Sequence, residues 1–230
     1  MLVFAGGWTL EAAEEVGAGE SIDGTGIEDW EVLDLLTSLA DKSLVIAEAS
    51  GDSTRYRLLE TVRQYAQERL EESGEAPTIH IRHRDYFLKL MEGIAKKLRG
   101  HEQAHWLGVL EGEYDNLRQG LAFCQAEGEG GEKGLRLGGT LWWFWFVRGY
   151  CREGRGWLSA LLAHPGAQAR TKARALALNG AGTLASIQGD YTAARSLIEE
   201  SLTIHRALEY QPGIEDALAA MSTLDRTDIG

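Results

Sequence analysis

The chain has 230 residues, of which 44% are hydrophobic and 25% charged, and it contains only three prolines. This size allows one large or two small domains, and the composition favours helices over a loop-rich β fold. The formal net charge of −12 argues against nucleic-acid binding by the chain as a whole, because neutralising phosphates requires a basic face. Two cysteines cannot form a disulfide framework, and the longest apolar run is far shorter than the about 20 residues of a membrane span, so we expect a cytoplasmic protein.

Residues 1–75 predict a small module of helices around a β-hairpin. Thr9 is placed to cap a short helix, and a longer helix is predicted over residues 27–41. One apolar face of the longer helix would carry Trp30, Leu33, Leu36 and Ala40. Residues 44–47 and 54–58 read as short strands, joined by Gly, Ser and Asp residues that are typical of a turn.

Residues 76–127 predict a pair of long amphipathic helices. Apolar side chains recur there at helical spacing in two stripes. The first stripe contains Ile79, His83, Phe87, Leu90, Ile94 and Leu98, and the second contains Trp106, Leu110, Leu117, Leu121 and Cys124. The polar, glycine-rich residues 127–133 are expected to form a flexible linker.

Residues 134–230 contain an internal repeat with an offset of 40 residues, as between Gly149 and Gly189. The same offset aligns Arg155 with Arg195, Leu162 with Leu202, Leu178 with Leu218, Thr183 with Thr223 and Leu184 with Leu224. A repeat of this length, made of two helices, predicts an α-solenoid. The middle unit resembles a tetratricopeptide repeat, with Gly182 and Ala194 where paired helices approach closely.

Two features of the repeat depart from a regular array. The first unit has Trp142 where the middle unit has Gly182. The last unit stops after its first helix, which would leave an apolar face without a partner. We therefore expect that the chain is truncated at this end or that Gly230 is not a natural boundary.

Strings along most of the chain resemble the region that follows the nucleotide-binding core in bacterial STAND-type regulatory NTPases. They are Phe4–Ala13, Leu33–Val45, Arg55–Leu70, Arg82–Phe87 and Asp115–Arg118. The resemblance implies a winged-helix-like module that packs on the core, followed by repeats that act as a sensor or protein-interaction platform. It implies a non-catalytic role, often within a transcriptional regulator.

The same resemblance places the nucleotide elsewhere. ATP or ADP would bind only the nucleotide-binding core, and the phosphate-cradling G-x-x-x-x-G-K-[ST] string is absent from this sequence. The expected partners are therefore a protein or small effector on the repeats and a nucleotide-binding core in cis or in trans. Direct DNA binding is not expected, because the helix that would enter a groove has five acidic residues against Lys42 alone.

An aromatic cluster over residues 142–150 has two interpretations. In one, Trp142, Trp145 and Tyr150 line a groove for a peptide or small effector, with Arg148 or Arg152 at its rim. In the other, which we favour, this helix is apolar all round because it is packed on both sides in the solenoid.

Two further alternatives remain open. His101-Glu102-x-x-His105 matches the zinc-protease helix, with Glu102 as general base and Glu111 in the place of a third ligand. Against it, His101 follows Gly100 at a predicted helix start, and such short motifs recur by chance. The other alternative is a free-standing repeat scaffold in which the winged-helix-like module is an N-terminal cap.

Overall fold

The computed structural model describes residues 2–20, 26–50 and 53–227. The fold is mainly α with a small three-stranded antiparallel sheet, which confirms the predicted fold class. Parts of the predicted turn at residues 49–53 and the terminal Gly230 lie outside the described residues. Contacts group the chain into two compact units, Met1–Lys89 with Glu111–Gly120 and Leu90–Leu110 with Leu121–Gly230.

The elements up to residue 73 alternate short strands and helices. In chain order they are β1 (Trp8–Thr9), α1 (Leu10–Gly17), β2 (Gly19–Glu20), β3 (Gly26–Ile27), α2 (Asp29–Asp41), β4 (Val45–Ser50), β5 (Ser53–Leu58) and α3 (Glu60–Ser73). The strands β1, β5 and β4 form the sheet in that order. Thr9 caps α1 as predicted, since its Oγ1 accepts a hydrogen bond from the backbone N–H of Ala12.

The predicted apolar face of α2 is wrong. Leu36 is buried, but its buried neighbour is Val32, whereas Trp30 is 73% exposed and Leu33 is 45% exposed. Side chains four residues apart share a helix face, so Val32 and Leu36 form the stripe that α2 buries against α1 and β4. Trp30 and Leu33 therefore contribute little to the core of this unit.

The segment over residues 76–127 contains more elements than the predicted pair of helices. They are α4 (Ala76–Ile94), a short 3₁₀ helix (Lys97–Arg99), α5 (Gln103–Gly112) and α6 (Tyr114–Ala126). The helical conformation is interrupted between α5 and α6 at Glu113. This residue is buried and forms an ion pair with Arg55 of β5. The expected linker at residues 127–133 is also shorter, because the next helix begins at Gly131.

The repeat predicted from the offset of 40 residues is present as stacked helices. They are α7 (Gly131–Arg148), α8 (Cys151–Ala163), α9 (Lys172–Ile187), α10 (Tyr191–Ala207) and α11 (Gln211–Thr227). Gly149 and Gly189 follow α7 and α9 with the same left-handed φ of 78°. A further equivalence is that Thr183 and Thr223 each donate a hydrogen bond to the carbonyl four residues earlier.

The helices of the repeat approach closely where small residues were predicted. A Cβ on Gly182 would lie 2.6 Å from Cγ1 of Ile198, and Ala194 is fully buried. The first repeat has the large Trp142 on α7 where the middle repeat has the small Gly182 on α9. The ring of Trp142 packs over another small residue, Gly180 of α9. The aligned pair Leu178 and Leu218 differs, being 1% and 45% exposed, since α9 packs on α7, α8 and α10 whereas α11 packs mainly on α10 and α9.

Candidate functional site

The second compact unit carries a groove formed by two adjacent cavities along α7, α9 and α11. One cavity has a volume of about 400 Å³ and several charged and polar lining residues, and the other has a volume of about 290 Å³ and an aromatic wall. Asn179 and Asp216 line both cavities and therefore mark their junction. Each volume is close to or within the range of small-molecule pockets.

The aromatic cavity is built around Trp142 and Trp143 on α7. Their rings meet edge to face with centroids 5.4 Å apart, and the guanidinium of Arg99 lies 5.2 and 4.9 Å from the two centroids. Phe146 extends the same wall one turn later, and it is 39% exposed. The cavity thus combines apolar walls with one stacked cation, an arrangement suited to an apolar group of a ligand.

In the described part of the chain, the polar cavity contains the ion pair of Arg136 with Glu92 and one cation that has no carboxylate partner. Arg136 donates two hydrogen bonds to the carboxylate of Glu92, at 2.7 and 2.8 Å. Glu132 accepts a hydrogen bond from the hydroxyl of Thr171. Among the described residues, Lys172 has no carboxylate within ion-pair distance; its ammonium lies 4.3 Å from the centroid of the Tyr210 ring.

Three buried polar atoms along this groove have no hydrogen-bond partner among the described residues. They are Oδ1 of Asn179, Nδ1 of His205 and Nε1 of Trp143. Burial lowers the pKa of His205, although the carboxylate of Asp216 acts in the opposite direction, so the imidazole is neutral at pH 7. An unpaired buried polar atom costs about 1–3 kcal/mol, which a ligand that supplied the missing partner would offset.

The structure places the predicted aromatic-site residues in different environments. Trp142 lines the groove, but Trp145 is fully buried and packs against Gly154, so it cannot contact a ligand there. Tyr150 is half-buried and lies against Phe144, away from both cavities, and the exposed Arg148 and Arg152 do not line either of them. The prediction that these five residues bind a partner stays a prediction, and only Trp142 lies in a position that fits it.

Sequence reasoning missed the polar residues of the groove. Lys172 and Asn179 lie on one face of α9 because they are seven residues, or two helical turns, apart. That spacing was visible in the sequence, but an isolated Lys and Asn carry no recognisable motif. His205 lies near the end of α10, and only the packing of its ring against Gly213 of α11 brings it to the cavity.

The residues of the zinc-protease motif do not share a helix face. His101 and Glu102 lie in a turn before α5, so the spacing of four residues to His105 does not produce the expected pair of imidazoles. The side chain of His101 is 94% exposed, and Glu102 accepts a hydrogen bond from the indole of Trp106. Across residues 2–20, 26–50 and 53–227, no three His, Cys, Asp or Glu side chains are grouped to hold a metal ion.

Sequence comparison relates the chain to part of much longer proteins. It is 42% identical over 159 residues to a protein of Mycobacterium tuberculosis named "Putative HTH-type transcriptional regulator Rv0890c", and equally to its counterpart in Mycobacterium bovis. The match covers 69% of this chain but only 17% of each of those proteins. An uncharacterized protein of M. tuberculosis is 41% identical over 86 residues, which cover 37% of this chain and 21% of that protein.

Other comparisons add no further relationship. No protein-family model matches the chain, and no solved structure matches it. Within the part of the chain that the structure describes, none of the helices combines the length and the apolar character that crossing a bilayer requires.

Proposed function

We propose that this chain is the non-catalytic sensing part of a bacterial transcriptional regulator of the STAND type, acting in the cytoplasm. The helical repeats would bind an effector or partner. The first compact unit, called the N-terminal unit below, would couple this binding to the conformation of a nucleotide-binding core. The observation that carries the proposal is the 42% identity over 159 residues to proteins named as HTH-type transcriptional regulators. The chain spans 17% of their length, which leaves room in such proteins for a core and an output domain.

The groove of the second unit supports the sensing role. It offers an aromatic wall, a lysine with no carboxylate partner among the described residues, and buried polar atoms for which those residues supply no hydrogen bond. These are features of a binding site. The described residues along it are arranged to form ion pairs and hydrogen bonds with a ligand. Binding rather than bond cleavage is therefore the activity we assign to it.

The N-terminal unit supports the coupling role, because it leaves apolar surface exposed. Trp30, Leu33 and Leu35 of α2 are 73%, 45% and 46% exposed, and α3 contributes no buried residue over its 14 positions. A helix of that length is marginal in water without tertiary packing. We propose that α2 and α3 pack against the nucleotide-binding core.

We assign DNA reading to another segment of the regulator. The exposed side of α2 carries Asp29, Asp34 and Asp41, and a capping box formed by Glu28 and Glu31 starts the helix. Carboxylates on an exposed helix are repelled by phosphates, so α2 is poorly suited to enter a DNA groove. The acidic face is better matched to a protein surface.

The coding DNA on both sides of these 230 codons provides the first test. The proposal predicts an in-frame segment with the G-x-x-x-x-G-K-[ST] string and a separate DNA-binding segment. In the corresponding strain, a chromosomal Trp142→Ala change should alter transcription of the regulated promoter, whereas Lys96→Ala, at an exposed position outside the groove, should not. A stop codon on each side would contradict coupling in cis and favour a free-standing scaffold.

A further inference from the structure

The groove has a positively charged group near one end and hydrogen-bond-accepting or negatively charged groups at the junction of its two cavities. Lys172 supplies a positive charge in the first turn of α9, where the helix dipole also favours an anion. The junction of the cavities supplies a hydrogen-bond acceptor and a negative charge. Among the described residues, the buried Oδ1 of Asn179 has no donor, and the exposed Asp216 carries a carboxylate. The only partner of Asp216 among the described residues is Arg99, at a loose 3.5 Å.

Other charges in the polar cavity are already engaged. Arg136 and Glu92 neutralise each other in a bidentate pair. Glu132 accepts a hydrogen bond from the hydroxyl of Thr171. A ligand that carried only a negative charge would therefore meet carboxylates as well as the lysine, whereas a ligand with both charges could satisfy both ends.

We propose that this groove binds a small zwitterion, a free amino acid or dipeptide with an apolar side chain. Its carboxylate pairs with Lys172, and its ammonium group donates to Oδ1 of Asn179 and pairs with Asp216. Its side chain enters the aromatic cavity and lies against the wall formed by Trp142, Trp143 and Phe146. Lys172 then gains a carboxylate partner, Oδ1 of Asn179 gains a donor, and Asp216 gains a second cation beside Arg99.

The spacing along α9 is compatible with a ligand of this size. Lys172 and Asn179 are seven residues apart, which is about 10 Å along a helix axis. The flexible four-carbon stem of lysine covers part of that distance. The side chain of His205 also lines the polar cavity, with its ring 5.6 Å from that of Tyr210, and its Nδ1 can bond the ligand carboxylate when it holds the proton.

This inference rests on the proposed function, because it names the class of effector that the repeats sense. Isothermal titration of the whole chain at pH 7 would compare L-phenylalanine and L-alanyl-L-phenylalanine with two blocked compounds, L-phenylalaninamide and N-acetyl-L-phenylalanine. We expect saturable binding of at least one zwitterion, with affinity about tenfold or more above that of both blocked compounds, because each loses one charge-assisted contact. Whether the amino acid or the dipeptide binds better identifies the natural source of the zwitterion.

Matched variants locate the two ends of the ligand. Lys172→Met should abolish the preference for L-phenylalanine over its amide, and Asp216→Asn should weaken the preference over the N-acetyl compound. Lys96→Met removes the same charge from an exposed position outside the groove and should bind as the wild type does. The proposal is overturned if neither zwitterion gives saturable heat, or if the blocked compounds bind equally well. Either result would leave the coupling role to be judged from the promoter measurements.

Discussion

His83 is the most strongly perturbed titratable residue that the structure describes. Its imidazole is buried between Phe4 and Phe87, with ring centroids 5.2 and 4.8 Å away, and Nε2 has no hydrogen-bond partner among the described residues. Burial lowers its pKa from 6.5 to about 3, so His83 is neutral in the folded protein throughout the physiological range.

The depressed pKa of His83 predicts a loss of stability in acid. Between pH 6.5 and about 3 the unfolded state binds a proton that the folded state does not, so stability is present above pH 6.5 and falls as the pH is lowered. At pH 5 this amounts to about 2 kcal/mol of unfolding free energy. Urea unfolding at pH 7 and pH 5 should show that His83→Gln removes most of this difference, whereas His101→Gln at an exposed position does not. Equal pH dependence in wild type and His83→Gln would contradict the assignment.

Arg55 and Glu113 form an ion pair that the sequence did not reveal. Arg55 pairs with Glu113, 58 residues away, and Arg57 pairs with Glu48 on the neighbouring strand. Glu113 also accepts a hydrogen bond from Asn116. Local spacing predicts contacts between neighbours on one helix, but it does not predict contacts between segments that are distant in the chain. The ion pair of Arg55 with Glu113 could therefore not be predicted.

The burial of Glu113 gives a second prediction. Glu113→Ala should lower the free energy of unfolding by about 2–4 kcal/mol, because it removes the carboxylate that neutralises a partly buried arginine and one of the two acceptors of the buried Asn116 amide. Glu48→Ala breaks a pair whose side chains are 51% and 57% exposed, and should cost about 1 kcal/mol or less. Denaturant titrations of both variants at pH 7 would check this, and equal losses would show that Glu113 does not stabilise the unit as its burial indicates.

At the scale of single elements, α8 contains two glycines in opposite situations. A Cβ on Gly154 would lie 2.5 Å from the ring of Trp145, whereas a Cβ on Gly156 would meet nothing within 4 Å. Gly154→Ala should therefore destabilise the protein by about 1–3 kcal/mol through overpacking. Gly156→Ala should stabilise it by about 0.5–1 kcal/mol, because alanine favours the helix. Thermal unfolding of the two variants should shift the midpoint in opposite directions; a shift in the same direction would contradict the close approach of α7 and α8.

The element boundaries that sequence predicted well are those with a local cause. Thr9 caps α1 through its own hydroxyl. The repeat was visible because Gly149 and Gly189 occupy the same turn in successive units. In these cases the residue itself determines the local conformation, so its identity is sufficient evidence.

Other features depend on packing and could not be predicted from periodicity. Residues 131–133 look like linker, yet they form the first turn of α7 because Gly131 fits against Gly166 and Ala167. The buried face of α2 was predicted wrongly because apolar residues lie on several sides of this helix, and only some of them are buried within its own unit. His205 of α10 joins Lys172 and Asn179 of α9 in one cavity only through the packing of the helices.

At the scale of the whole molecule, the two compact units carry different parts of the proposed role. The second unit holds a groove with unsatisfied polar groups, and the N-terminal unit exposes apolar and acidic side chains on α2. Effector binding can change a nucleotide equilibrium only if it favours one arrangement of the regulator over another. The exposed face of α2 is the surface through which we expect that preference to reach the nucleotide-binding core.

Nucleotide turnover by the complete regulator polypeptide, with Trp30→Ser and Leu33→Ser introduced together, tests this coupling most directly. We predict that turnover changes by about fivefold or more, the lower range of typical coupling energies, because the contact that stabilises the resting state is lost. The thermal stability of the 230-residue chain should be nearly unchanged, since Trp30 and Leu33 are exposed in it. Leu218→Ser, at a leucine that is also 45% exposed but lies in α11, should leave turnover as in the wild type. Wild-type turnover in the Trp30/Leu33 variant would contradict the account.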